Sequence, residues 1–138
     1  MDNVTYTICE TQADIYEYIA KLGYDMEVFS NLYLKSKWCN KSMDTLYSRF
    51  QFADKLECLD FILDEIGYKL KKLNNKYFDC NVAYWIGFTY RQIYSETGIK
   101  SNELADIIPF AKMCGLYAGL HTIDEENAID IICDNFNL

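Results

Sequence analysis

The sequence predicts an all-α fold, a compact bundle of about six to seven short helices forming one domain over residues 1–138. Three observations carry that prediction. One proline and six glycines leave few helix breakers. Apolar residues recur at spacings of three and four, the period of a helix face. Ser, Thr and Asp residues stand just ahead of several of those runs, where N-caps belong.

The first helix is expected from the capping-box pattern "TQAD" (11–14), with Ile15, Ile19 and Leu22 behind it and Gly23 as its stop. Asp25 opens a second, whose apolar positions Val28, Phe29, Leu32, Tyr33 and Leu34 lead towards Trp38. Ser42 caps a third, placing Met43, Leu46, Tyr47 and Phe50 on one face. Asp54, with Glu57 three residues on, opens a fourth. Its stripe of Leu56, Leu59, Leu63, Ile66 and Leu70 ends in the basic cluster Lys69, Lys71 and Lys72. "NNKYFDCN" (74–81) is the clearest loop. A long helix then starts at Asp79 or Asn81 and stops at Gly98. Ser101 caps a short helix, and Pro109 suits the first turn of another. "TIDE" (122–125) is a further capping box, ahead of Ala128, Ile129 and Ile132. No segment alternates like a strand, and no repeat or linker divides the chain.

A hydrophobic content of 51% excludes a disordered chain despite a net charge of −8. The opening residues, MDNVTYTICE, lack the basic and apolar regions of a secretory signal. The run around VAYWIGFTY falls far short of the roughly 20 residues that span a bilayer. The expectation is a cytoplasmic protein with no membrane contact. The six cysteines, at positions 9, 39, 58, 80, 114 and 133, include no CxxC pair and sit mostly among apolar residues. They read as buried free thiols in a reducing compartment, with no metal site.

Charge is uneven. Residues 1–78 carry ten Lys/Arg against twelve Asp/Glu, and residues 79–138 carry three against nine. An acidic surface repels phosphate backbones and attracts basic partners.

The densest aromatic stretch is "YWIGFTYRQIY" (84–94), which contains Arg91. On a wheel of about 100° per residue, Val82, Ile86, Tyr90 and Ile93 share one face, with Trp85 and Thr89 on its flank. Tyr84, Phe88, Arg91 and Ser95 gather nearly opposite. Two readings follow. Either the helix is central and covered all round, or the second face docks a partner, since aromatic residues and Arg are enriched in interface cores. In the first reading Arg91 must be paired, and the acidic C-terminal segment offers candidates. In the second, Arg91→Ala and Phe88→Ala weaken a complex and leave the melting temperature nearly unchanged.

His121 is the sole histidine, so acid–base chemistry through a histidine must use it. Arg91, Tyr117, His121 and Asp124 could form a small site. No nucleophile elbow, Gly-rich phosphate loop, HExxH or acidic metal set accompanies them, so no catalytic residue is assigned. "TGIKSNELADIIPFAKMCGLYAGLH" has the cadence of a helix-turn-helix. Its would-be second helix carries only Lys112, too little charge to meet phosphates.

The stretches "AYWIGFTYRQIYSETGIKSNEL" and "LYAGLHTIDEENAID" together resemble an uncharacterised family of small bacterial proteins. Its pattern runs near A-Y/E-W-I-G-Y/F-x-Y-R-x-x-Y/W-x-x-T-G-x-x-S, then Y-x-G-x-H-T-x-D-x-x-x-A-I. The likeness covers roughly residues 82–132. Members tend to be encoded beside ADP-ribosyltransferase-like toxins. The resemblance implies an accessory or neutralising role and brings no catalytic residues with it.

These readings converge on a non-enzymatic, antitoxin- or immunity-like protein that occludes a partner protein, needing no cofactor and no nucleic acid. Tyr84, Phe88 and Arg91 are the expected contacts, with Tyr94, Tyr117, His121 and Asp124 behind them. One alternative is a phage or mobile-element inhibitor whose acidic surface blocks a nucleic-acid-binding enzyme. Another is a small enzyme using Arg91, His121 and Asp124, and an exposed aromatic face could also pair in a homodimer.

Overall fold

A computed structural model describes all residues, 1–138, and the chain is all-α. Eight helices follow one another: α1 (Asn3–Lys21), α2 (Met26–Leu34), α3 (Lys37–Ser42), α4 (Lys55–Ile66), α5 (Cys80–Thr97), α6 (Ser101–Ile107), α7 (Phe110–Leu120) and α8 (Glu125–Phe136). Single 3-10 turns at Arg49–Phe52 and Gly67–Lys69 flank α4. There is no sheet, only an isolated antiparallel bridge between Tyr24 and Lys72.

Helix α5 is the axis of the bundle, and α1 lies along it as its most extensive neighbour. The expected core face holds: Ile86, Tyr90 and Ile93 are buried and Val82 packs at their edge. One glycine sets how close the two helices come. A Cβ on Gly87 would stand 2.7 Å from Tyr16 Cγ, so only glycine admits the tyrosine ring there. Gln12 uses the same proximity, donating Nε2–H to the Gly87 carbonyl at 2.9 Å.

Several caps stand where the sequence placed them. The carboxylates of Asp25, Asp54 and Asp79 accept from the first-turn N–H groups of α2, α4 and α5. Gly23 and Gly98 both adopt positive φ, at 84° and 73°, as helix stops do. Pro109 precedes α7.

Four expectations are corrected. Helix α1 does not begin at Thr11 but runs from Asn3, capped by Asp2, whose carboxylate accepts from Thr5 N at 2.7 Å. Ile8 and Cys9 carry its apolar face a turn upstream, and the buried Thr11 hydroxyl donates to the Gln51 carbonyl at 2.8 Å. Ser42 ends α3 rather than opening a helix. Residues 43–48 turn instead, because the Asp44 side chain is drawn into the core; Leu46 and Tyr47 are left exposed, at 102% and 74%. In α4 the buried face is Cys58, Leu59, Ile62 and Ile66, with Leu56 outside. Leu59 and Ile66 of the expected stripe lie in that face and Leu63 and Leu70 pack against the core, so Leu56 alone departs from it. Finally, α8 is capped by Asp124, two residues inside the expected box.

Candidate functional site

The aromatic helix α5 serves two different sites. Towards its C-terminal half, Arg91 is a core residue with 2% exposure. Its Nη1 donates to Asp44 Oδ1 at 2.7 Å, and Nε and Nη2 both donate to Gln12 Oε1, at 3.1 and 2.8 Å. Nη2 also reaches Ser101 Oγ at 3.0 Å and Cys39 Sγ at 3.4 Å. Asp44 is held in turn by the Ser101 hydroxyl and backbone N–H, each at 2.7 Å. Tyr33 donates its hydroxyl to Gln12 Oε1 at 2.8 Å. The network ties α1, α2, α3, α5 and α6 together through one guanidinium.

This corrects the docking role expected of Arg91. A side chain enclosed this way presents nothing to a partner, and the first reading of α5 applies to it. Its carboxylate comes from Asp44, in the turn after α3, and not from the acidic C-terminal segment. Tyr94 belongs to the same cluster, since the Arg91 guanidinium lies 4.9 Å from its ring centroid.

The N-terminal half of α5 floors an open groove of about 240 Å³. Tyr84, Trp85 and Phe88 line it, with Tyr6 of α1 on one side and Tyr117 and His121 of α7 on the other. Ile123 and Glu125 close the end nearest α8. Four expected contact residues, Tyr84, Phe88, Tyr117 and His121, thus meet in one place. Phe88 is a wall more than a surface, at 6% exposure, with Tyr6 edge-on at 5.2 Å. Trp85 meets Tyr117 at 5.7 Å, near perpendicular. The His121 ring stacks on Tyr117 at 4.1 Å, and its Nδ1 lies 2.7 Å from the Tyr117 carbonyl oxygen. A carbonyl only accepts, so Nδ1 carries the proton and donates.

Burial pushes the Tyr84 phenol up to about 12, and the carboxylates of Asp14 and Glu10 add to the effect. The Tyr6 phenol is raised too, by burial and then by Glu125 and Glu10. Both tyrosines therefore sit in a negative field.

Asp124 does not line the groove. It is the exposed cap of α8, accepting from Asn127 N at 2.9 Å and Asn127 Nδ2 at 2.7 Å, and the backbone N–H of Asn127 holds its carboxyl below the ordinary value. The trio Arg91, His121 and Asp124 does not assemble: no hydrogen bond or ion pair joins any two of them, each bonds different partners, and Arg91 and His121 line different cavities. The six cysteines are free thiols, three of them buried, and no group of His, Cys, Asp and Glu side chains converges as metal ligands do. The exposed face of α7 holds Ala111, Lys112, Gly115, Ala118 and Gly119, and so presents a single cation.

Tyr6, Trp85 and Glu125 in the groove, and Gln12, Asp44 and Ser101 around Arg91, were not singled out from sequence. The signals for the groove were i,i+4 pairs, Tyr84–Phe88 and Tyr117–His121, each aligning two rings on one helix face. No family model, curated protein or solved structure matches this chain.

Proposed function

We propose that this protein is a non-enzymatic binding protein, antitoxin- or immunity-like, that occludes a partner protein through the groove between α5, α7 and α8. The observation that supports this reading is the convergence of Tyr84, Trp85, Phe88, Tyr117 and His121 on one open surface. Tyrosine and tryptophan are enriched among the hot spots of protein interfaces. The groove, at about 240 Å³, is smaller than the roughly 300–1,000 Å³ of pockets that enclose a metabolite. It suits one or two side chains of a larger ligand.

The resemblance to proteins encoded beside ADP-ribosyltransferase-like toxins points to such a toxin as the partner. The test is co-expression with the products of adjacent genes, followed by co-purification. Tyr117→Ala is expected to weaken the complex by about 2 kcal/mol or more, with helical circular dichroism retained. A complex that survives both Tyr117→Ala and Trp85→Ala undiminished would remove the groove from the binding surface.

A further inference from the structure

Resting on the protein-binding reading above, we infer that the groove receives a cationic side chain of the partner, an arginine or a lysine. The argument begins with its walls. Tyr84, Trp85, Tyr117 and His121 bring ring faces and edges around a space the size of one long side chain. Ring faces attract cations placed within about 6 Å of their centroids. This chain already uses that contact internally, with Arg91 over Tyr94 and Lys112 over Phe136.

The charge around the groove has one sign. No lysine or arginine lines it, and its one carboxylate, on Glu125, has neither an ion-pair partner nor a hydrogen bond. The N-terminal ammonium of Met1 is engaged by the neighbouring Glu126 instead. Glu10 and Asp14 extend the negative charge along α1, adding to burial in raising the Tyr84 phenol. Two of the other polar groups are bonded within the chain: Gln92 Nε2 donates to the Glu125 carbonyl at 3.1 Å, and Thr89 Oγ1 donates to the Trp85 carbonyl at 2.6 Å. A guanidinium or ammonium entering the groove would find π faces and an unpaired carboxylate. A partner's carboxylate would meet repulsion from Glu125, and an aliphatic side chain would gain nothing from it.

The test uses the full chain labelled with 5-fluorotryptophan, which gives one fluorine resonance each for Trp38 and Trp85, assigned with Trp85→Phe. The blocked tripeptides Gly-Arg-Gly, Gly-Lys-Gly, Gly-Leu-Gly and Gly-Glu-Gly are titrated to millimolar concentration. The arginine and lysine peptides should move the Trp85 resonance saturably and leave that of Trp38 still. Glu125→Gln should weaken that binding about two- to fivefold, and Tyr117→Leu by a similar factor. A leucine or glutamate peptide that binds as well as the arginine peptide overturns the inference, as does an arginine peptide that moves nothing. So does a Trp85 shift on simple dilution of the protein, which would make a second copy of the chain the occupant. The two readings fail separately. A groove-dependent complex with no arginine preference removes the cation and keeps protein binding, whereas arginine binding with no groove-dependent complex does the reverse.

Discussion

The two halves of α5 are both aromatic, with Tyr84, Trp85 and Phe88 in one and Tyr90 and Tyr94 in the other, and they do opposite things. Around Arg91 every strong donor and acceptor is matched inside the chain, by Gln12, Asp44 and Ser101. Around Tyr84 and Trp85 the rings line an opening to solvent, and Glu125 is matched by nothing. The difference teaches that residue type does not separate a structural site from a binding one. What separates them is whether the fold has already satisfied the charge.

The hardest way to break the comparison is at Asp44. Asp44→Ala leaves the guanidinium of Arg91 buried without its carboxylate, which is expected to destabilise the fold by about 3–5 kcal/mol. Urea unfolding followed by circular dichroism measures it. Arg91→Ala is expected to be severe as well, since it strands Asp44, contrary to the near-neutral effect the interface reading of Arg91 requires. The double variant Asp44→Leu/Arg91→Met removes both charges and should be more stable than either single change. If Asp44→Ala melts like the parent chain, the network is not what holds the five helices in register.

A second break tests the contact that brings Gln12 to the network. Gly87→Ala puts a methyl within 2.9 Å of three Tyr16 atoms. Tyr16 is wholly buried and its hydroxyl is bonded to Ser30 at 2.8 Å, so the ring has nowhere to swing. The expected cost is about 1–3 kcal/mol, read from the same unfolding curves. An unchanged midpoint would show that α1 can shift along α5 without loss.

These two sites also show what the sequence could and could not disclose. The all-α class, the caps at Asp25, Asp54 and Asp79, the stops at Gly23 and Gly98, and the core face of α5 all rest on local chemistry, and local chemistry is written in neighbouring residues. Asp44 is forty-seven positions from Arg91, and nothing near it distinguishes it from the other acidic residues. Its removal into the core is also what undid the expected helix from Ser42. The groove was half legible: Tyr84 and Phe88 share a wheel face and Tyr117 and His121 belong to the one candidate polar site, whereas Tyr6 arrives from the far end of the chain and Trp85 lies on the flank of the core face.

Alkaline pH weakens the fold more gradually. Burial raises the thiols of Cys9 and Cys58 from 9.0 to about 12, and the Tyr84 phenol from 10.0 to about 12. Between pH 9 and 12 the folded chain therefore keeps protons that the unfolded chain has released. Stability from these groups is complete below the lower value and is lost as pH rises through the upper one. Melting temperatures should hold up to about pH 9 and then fall steadily. At neutral pH the thiols of Cys9, Cys39 and Cys58 should react with a disulfide reagent only after unfolding, and a melting temperature flat through pH 11 would contradict their protonated burial.

The smallest effect on stability is expected at the wall of the groove. His121 is exposed at the end of α7, and its bonds are one stacked ring and one local hydrogen bond to Tyr117. His121→Ala leaves no buried polar group stranded, so the change in unfolding free energy should stay within about 0.5 kcal/mol. The same substitution strips one ring from the groove wall and frees Tyr117 to turn, so any complex formed there should dissociate faster. Unfolding and dissociation, measured on one variant, then pull apart. A His121→Ala chain that loses stability and partner in equal measure would mean that the end of α7 belongs to the fold in the way Arg91 does, and that the groove is packing left unfilled.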